Sequence, residues 1–124
     1  MVQRTRVLIV DDSAHTRDGL RALLRTWPEI TVVGEATNGQ DALGLVAACR
    51  PDVVLMDLQM PVLDGAATTR LIKAQWPAVA VVVLSIYATE QTTALAAGAD
   101  AFVVKGSAPE RLRSALGAGG TGEL

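Results

Sequence analysis

Five short runs of β-branched and aliphatic residues recur along the chain. They are VLIV (7–10), TVVGEA (31–36), VVLM (53–56), VAVVVLS (79–85) and AFVV (101–104). Runs of this length and composition, bounded by polar or turn-forming residues, are typical of buried β-strands. The pattern therefore predicts five strands.

The segments between these runs carry apolar residues at helical spacing. The first follows the i, i+3, i+4, i+7 pattern with Leu20, Leu23, Leu24 and Trp27. Because Pro28 follows at once, we expect this helix to end at Trp27. The next two helices carry Ala42, Leu43, Val46 and Ala47, and then Leu71, Ile72 and Trp76.

Two further helices complete the alternation. The fourth, around residues 89–97, has Leu95 as its only large apolar residue, so we expect it to be the most weakly anchored. The fifth begins after Ser107 and carries Leu112 and Leu116. Strand and helix alternate five times, which predicts a doubly wound α/β domain with a parallel sheet and helices on both faces.

Composition agrees with this fold and bounds the domain. Half of the 124 residues are hydrophobic but only 3% are aromatic, so the core must be aliphatic, as in parallel sheets covered by helices. The last eight residues, GAGGTGEL, contain four glycines and no apolar pattern. We therefore expect one domain over residues 1–117, and a flexible tail or the start of a linker over residues 118–124.

Charge and apolar patterning exclude several classes of function. The net charge of −2 argues against nucleic-acid binding by this chain alone. The single cysteine excludes an intrachain disulfide and a cysteine-built zinc site. No signal peptide is recognisable, and no apolar run approaches the roughly 20 residues of a membrane span. We expect a cytoplasmic protein without membrane contact.

Polar side chains follow four of the five predicted strands. Asp11 and Asp12 follow the first strand, Asp57 the third, Ser85 the fourth and Lys105 the fifth. The carboxyl ends of parallel strands meet at one edge of the sheet, where doubly wound folds bind their ligands. We therefore expect these side chains to lie together. The second strand ends near Glu35 and Thr37, with nothing comparable.

This combination of side chains favours metal and phosphoryl chemistry. Two carboxylates about 4 Å apart repel each other by about 4 kcal/mol at an effective dielectric constant of about 20. Protonation of one acid, or a divalent cation such as Mg²⁺ or Mn²⁺, relieves the repulsion. An ammonium group from Lys105 and a hydroxyl from Ser85 would suit a phosphoryl group, with Asp57 as the nucleophile.

Each of these residues alone also has a simpler explanation. Asp11 and Asp12 could cap the following helix, Asp57 and Ser85 could form turns, and Lys105 could be a solvated surface charge. Their joint occurrence at the ends of four strands is what favours a common site.

The ordered set VLIVDD, VVLMDLQMPVLDG, VVVLS and GADAFVVK resembles the receiver domain of bacterial two-component response regulators, over roughly residues 5 to 117. The segment VVGEATNGQDAL is most similar to receivers of the NarL/LuxR class. The resemblance implies a flavodoxin-like receiver fold with strand order 2-1-3-4-5. It also implies phosphorylation of Asp57 by a sensor histidine kinase or by a small donor such as acetyl phosphate.

The resemblance further implies a metal site. Asp12 and Asp57 would ligate Mg²⁺ through their side chains, Asp11 would contribute partly through water, and Gln59 would offer its backbone carbonyl. Ser85 and Lys105 would bind the oxygens of the phosphoryl group.

Phe102 matches the family's switch-aromatic position, so the surface of helix four, strand five and helix five is expected to change on phosphorylation. Tyr87 and Gln59 would tune dephosphorylation by shielding the phosphoryl group from water. Two features depart from the commonest family pattern. Gly106, rather than proline, follows Lys105, and Tyr87 is bulky for its position.

The implied output is control of transcription through a C-terminal DNA-binding domain absent from this chain, with a homodimer on activation. A stand-alone receiver that acts by protein contacts is the alternative. No catalysis is expected beyond the chain's own phosphorylation and dephosphorylation. A flavodoxin-like ligand binder would need a phosphate-cradling loop after the first strand, where acids stand instead. A metal-dependent phosphohydrolase would need a substrate-specific insertion, and the loops are short.

Overall fold

A parallel sheet in the order β2-β1-β3-β4-β5 organises residues 3–60 and 63–121, the part of the chain that the computed structural model describes. The strands are β1 (Thr5–Val10), β2 (Ile30–Ala36), β3 (Val53–Asp57), β4 (Ala80–Ser85) and β5 (Ala101–Val104). The predicted doubly wound α/β fold is confirmed, together with its strand order.

Within the described residues, five helices connect and follow the strands. They are α1 (Ala14–Arg25), α2 (Gly39–Cys49), α3 (Gly65–Gln75), α4 (Gln91–Ala96) and α5 (Pro109–Thr121), with a 3₁₀ turn over Ala88–Glu90 before α4. Ser13, Asn38 and Asp64 begin the first three helices, and the side chain of each accepts a backbone N–H from the residue three positions later. Polar residues that satisfy such free amides fix where these helices start.

Alternate residues of the strands face two separate hydrophobic cores. The first core joins the strands to α2, α3 and α4, and includes Leu8, Val10, Val54, Met56, Val81, Val83, Val46, Ile72 and Ala94. The second core joins them to α1 and α5, and includes Val7, Ile9, Val53, Leu55, Val82, Leu84, Leu24, Leu112 and Leu116. The central strands are buried on both faces, which explains their continuous apolar sequences.

Helix α1 is shorter than predicted. It ends at Arg25, and Trp27 lies beyond the helix, where its buried ring packs in the second core. The ring is covered on one side by Arg113, whose guanidinium carbon lies 5.6 Å from the ring centroid. The apolar spacing was correct, but Trp27 reaches the core from a turn rather than from a helix.

Helix α4 does not bury its one large apolar residue. Ala94 is the buried residue of this helix, whereas Leu95 is 47% exposed. Helix α4 has only six residues and follows the 3₁₀ turn, so it is shorter than the helix around residues 89–97 that the sequence predicts.

The C-terminal residues differ in part from the expected tail. The backbone of residues 118–121 continues α5, whereas residues 122–124 lie outside the described part of the chain. A linker that begins near residue 118 therefore stays a prediction. Among the described residues, no helix is long and apolar enough to cross a membrane.

Candidate functional site

Strand register brings the predicted acids together at the carboxyl edge of the sheet. Val10 of β1 pairs with Met56 of β3, so Asp11 and Asp57 follow neighbouring positions on adjacent strands. Asp57 in turn pairs with Leu84, which places Ser85 one residue further along β4. The β4–β5 register pairs Ser85 with Val104, the residue before Lys105.

Three carboxylate groups form the centre of this edge. One oxygen of each of Asp11, Asp12 and Asp57 lies within 4.8 Å of the others. Asp11 and Asp57 are buried, with exposed fractions of 2% and 7%, whereas Asp12 is exposed. The cluster is therefore fixed in the protein on one side and open to solvent on the other.

Lys105 supplies the positive charge beside these acids. Its Nζ lies 3.3 Å from Asp11 Oδ2 and 3.7 Å from Asp57 Oδ1. Each of the two buried carboxylates also accepts a backbone N–H, from Ser13 to Asp11 at 2.8 Å and from Gln59 to Asp57 at 3.3 Å. One ammonium group therefore faces three carboxylates, and the local charge stays negative.

The surroundings of Asp57 disfavour its ionised form. Burial raises the pKa of the Asp57 carboxyl above its ordinary value, and the charges of Asp11 and Asp12 raise it further. Lys105 and the N–H of Gln59 act in the opposite direction on the same pKa without cancelling the effect of burial. A bound group that brings positive charge would favour the ionised form of Asp57 and so lower its pKa.

The donor set fits a hard divalent cation. Its side-chain ligands are all carboxylate oxygens, the type that Mg²⁺ and Mn²⁺ prefer, and the open side leaves room for water and an anionic ligand.

Ser85 lies at the same edge, but its hydroxyl is engaged elsewhere. The Ser85 hydroxyl donates to Oε1 of Glu90 and accepts the N–H of Tyr87 at 3.1 Å. The side-chain amide of Gln59 donates to the second carboxylate oxygen of Glu90. Ser85 and Gln59 are thus joined through a residue that the sequence analysis did not select.

Phe102 and Tyr87 occupy the predicted flank of the site. Phe102 is partly buried and packs against the first core, beside a groove that Gln91 and Arg111 also line. Tyr87 is 53% exposed. Neither ring is held in a fully buried position, which leaves both side chains room to move.

Arg17 is a further residue that the sequence analysis missed. Its Nη1 donates to the backbone carbonyl of Asp11 at 2.6 Å, and its Nε lies 3.4 Å from Oε1 of Glu35. Arg21, one turn later on α1, pairs with the same carboxylate at 2.6 Å. The end of β2 thus contributes to the site indirectly, by anchoring the backbone that carries Asp11. The i, i+4 spacing of the two arginines was the available signal.

These features define a class of protein: a doubly wound α/β domain with a carboxylate cluster and an adjacent lysine at the carboxyl edge of its sheet. The family model of the response regulator receiver domain matches residues 7–117. The chain belongs to this family.

Curated relatives include a response regulator and a methylesterase. The chain is 37% identical over 120 residues to the nitrate/nitrite response regulator protein NarL of Escherichia coli K12, a match that covers 95% of this chain and 56% of NarL. It is 45% identical over 108 residues to a protein-glutamate methylesterase/protein-glutamine glutaminase of Carboxydothermus hydrogenoformans, covering 84% of this chain and 32% of that protein. The chain thus spans about half, or less, of these relatives.

Solved structures agree with the class. A LuxR-family response regulator from Aurantimonas sp. superposes with a TM-score of 0.90 at 32% identity, covering 98% of this chain and 88% of the other. The signal receiver domain of the putative response regulator NarL from Mycobacterium tuberculosis gives a TM-score of 0.89 at 31% identity, covering 98% and 99%. The resemblance to NarL/LuxR-type receivers is confirmed.

Proposed function

We propose that this chain is a phospho-acceptor switch in which Asp57 receives a phosphoryl group. One observation carries the proposal: Asp57 is a buried carboxylate at the end of β3, grouped with two other acids and 3.7 Å from the ammonium of Lys105. A buried acid whose charge is costly in the isolated chain is typical of functional rather than structural positions.

The side chains of Asp11, Asp12 and Asp57, with the backbone carbonyl of Gln59, would hold Mg²⁺ or Mn²⁺. When bound, the cation neutralises charge on the transferring phosphoryl group and on the carboxylates. Arg17 and the N–H of Ser13 keep Asp11 in place for this task.

In the transfer, an ionised oxygen of Asp57 attacks the phosphorus of a phosphohistidine on a sensor histidine kinase, or of acetyl phosphate. A new O–P bond forms as the bond from phosphorus to the donor nitrogen or oxygen breaks, and the leaving group keeps that electron pair. Lys105 pairs with a phosphoryl oxygen and favours the ionised nucleophile. The chain thus catalyses only its own phosphorylation and, with water in place of a donor, its dephosphorylation, which Tyr87 and Gln59 tune by shielding.

Phosphorylation then alters the surface of the domain. It adds about −1.5 to −2 charges at Asp57. Ser85 turns its hydroxyl toward the phosphoryl oxygens and draws the β4–α4 loop inward, and the ring of Phe102 moves into the space that this loop leaves. The surface of α4, β5 and α5 changes shape as a result. A population shift from 1:99 to 99:1 requires about 5.5 kcal/mol of differential stabilisation.

We infer that the output is transcription control in the cytoplasm, through a C-terminal DNA-binding domain and a homodimer formed on activation. The similarity to a transcriptional regulatory protein of Bacillus subtilis supports this output. The 45% identity to a methylesterase supports a second candidate, in which the receiver acts on a partner or a further domain by protein contact alone.

Beryllofluoride, which mimics a phosphoryl group on a carboxylate, tests both acceptor and switch. We expect ¹H–¹⁵N spectra of the Mg²⁺-loaded chain to shift at residues around Asp57 and across α4, β5 and α5. The same addition to Asp57→Asn, or to wild type in EDTA, should change neither region. Spectral changes that are absent from α4, β5 and α5 would refute the switch, and changes that survive in Asp57→Asn would refute the acceptor.

A further inference from the structure

Glu90 connects two strand ends of the site. One of its carboxylate oxygens accepts the hydroxyl of Ser85, at the end of β4, and the other accepts the side-chain amide of Gln59, which follows β3. The proposed function assigns both donors a role at the phosphoryl group: Ser85 binds its oxygens, and Gln59 shields it from water.

A simpler explanation of Glu90 does not fit its contacts. An acid at the start of a helix ordinarily caps it or complements its dipole. Glu90 is the N-cap residue of α4, yet its side chain makes no capping hydrogen bond. The carboxylate turns instead toward Ser85 and Gln59.

The bond to Glu90 competes with the bond that Ser85 would make to a phosphoryl group. A serine hydroxyl has one proton, so it donates one hydrogen bond at a time. In this structure the proton is committed to Glu90, while the Ser85 oxygen accepts the N–H of Tyr87 at 3.1 Å. Ser85 must therefore leave Glu90 before it can bind a phosphoryl oxygen.

Gln59 links Glu90 to the proposed acceptor, Asp57. Its backbone N–H donates to Asp57 Oδ1 at 3.3 Å, while its side chain is bonded to Glu90. The side-chain amide is therefore held at Glu90, in the turn before α4. Loss of the Glu90 carboxylate would release Ser85 and Gln59 together.

We propose that Glu90 is a positioning residue that holds Ser85 and Gln59 in the unphosphorylated arrangement and so opposes phosphorylation of Asp57. This inference rests on the proposed function of Asp57 as acceptor. It adds a restraint on the resting state, set by a hydrogen-bonded carboxylate in the turn before α4.

The test is the rate at which Mg²⁺ and acetyl phosphate phosphorylate the full chain, followed by intact mass. We expect Glu90→Ala to react about tenfold faster than wild type, since a hydrogen bond to a charged group is lost from the resting state only. Glu90→Gln keeps a weaker acceptor for Ser85 and should react at an intermediate rate. Glu110→Gln, which removes one carboxylate at the start of α5, is the matched charge control and should react as wild type does.

A double-mutant cycle separates the hydrogen bond from general repulsion of the anionic donor. In a background that carries both Ser85→Ala and Gln59→Ala, the two side chains that donate to Glu90 are gone, so adding Glu90→Ala should leave the rate unchanged. An acceleration that persists in that background would overturn the inference, because charge repulsion alone would then explain it.

Equal rates for wild type, Glu90→Gln and Glu90→Ala would also overturn the inference while leaving the acceptor role of Asp57 intact. A folded wild type that gains no phosphoryl group would instead refute the proposed function itself. Thermal melts establish that each variant is folded, and if Glu90→Ala is not, the comparison rests on Glu90→Gln.

Discussion

Three carboxylates share one ammonium group at the carboxyl edge of the sheet. The ionised form of the buried Asp57 is disfavoured, because burial raises its pKa and the neighbouring acids act in the same direction. Lys105 is closer to Asp11 than to Asp57, at 3.3 Å against 3.7 Å, so its charge is divided between them. In the metal-free chain the ionised Asp57 therefore lowers the free energy of unfolding.

The destabilisation by the ionised Asp57 depends on pH. Because the folded pKa of Asp57 is raised, the folded chain binds the proton at a higher pH than the unfolded chain does. The destabilisation is therefore fully present above the folded pKa, and it is relieved as the pH falls through that value toward the ordinary pKa of an aspartic acid.

Asp57→Asn should consequently stabilise the metal-free chain at neutral pH. We expect a gain of about 1 kcal/mol in the free energy of unfolding, a size typical of single substitutions, or about 4 °C in Tm. The gain should shrink as the pH is lowered through the folded pKa of Asp57. Urea unfolding in EDTA at a series of pH values measures it, and an equal or lower stability of Asp57→Asn at neutral pH would contradict the account.

Lys105→Met should change the Mg²⁺ affinity and the phosphorylation rate in opposite directions. Removal of the ammonium leaves the carboxylates unopposed, so Mg²⁺ should bind about tenfold more tightly, which corresponds to about 1.4 kcal/mol. Phosphorylation by acetyl phosphate should nevertheless slow, because a charge that pairs with the phosphoryl group is lost.

Isothermal titration with Mg²⁺ measures the affinity. Arg25→Met, which removes an exposed positive charge at the other end of α1, is the control and should bind Mg²⁺ as wild type does. Weaker Mg²⁺ binding by Lys105→Met would show that Lys105 supports the metal site rather than opposing it.

The end of β3 and the start of α3 are in direct contact, and this contact positions the backbone of Asp57. The N–H of Gly65 donates to the carbonyl of Leu58 at 3.1 Å. A Cβ atom at Gly65 would lie 2.2 Å from the carbonyl oxygen of Asp57 and 2.7 Å from the Cα of Leu58. Only glycine allows the helix to begin this close to the strand.

Gly65→Ala should therefore destabilise the fold by about 3 kcal/mol, as overpacking against backbone does, and should displace Asp57. The matched control is Gly44→Ala, at an exposed position inside α2 where a Cβ meets nothing within 4 Å. Alanine there should stabilise by about 0.5–1 kcal/mol, because glycine is unfavourable inside a helix. Denaturant unfolding compares the two, and similar effects of both substitutions would contradict the proposed close contact.

Elements with strong local signals were predictable from the sequence. The central strands are short apolar runs buried on both faces. Asp57 and Ser85 end β3 and β4, and Asp11 and Lys105 follow β1 and β5, so strand topology alone places these residues at one edge. Their convergence needed no knowledge of side-chain contacts.

Contacts that depend on irregular backbone were not predictable. Glu90, which accepts the hydroxyl of Ser85, lies in the 3₁₀ turn before α4, and Leu95 in the short helix that follows is exposed. Trp27 packs in the core from a turn after α1, which helical spacing cannot distinguish from a longer helix. Geometry of this kind depends on tertiary packing rather than on local propensity.

The fold links the acidic cluster to one face of the domain. β1, β3, β4 and β5 all bring polar side chains to one edge, while β4 and β5 continue into α4 and α5. A change at Asp57 is thus one strand away from Ser85 and two from Lys105. Through these connections, the proposed modification of Asp57 would reach the surface formed by α4, β5 and α5.

Mass spectrometry of the intact chain, incubated with Mg²⁺ and acetyl phosphate, decides whether Asp57 is the acceptor. We predict the addition of a single phosphoryl group that maps to the peptide containing Asp57, with no addition in Asp57→Asn or in EDTA. Asp52→Asn, which changes an acid at the opposite end of β3, should be phosphorylated as wild type is. A folded wild-type chain that gains no mass, or an Asp57→Asn variant that gains as much as wild type, would contradict the account.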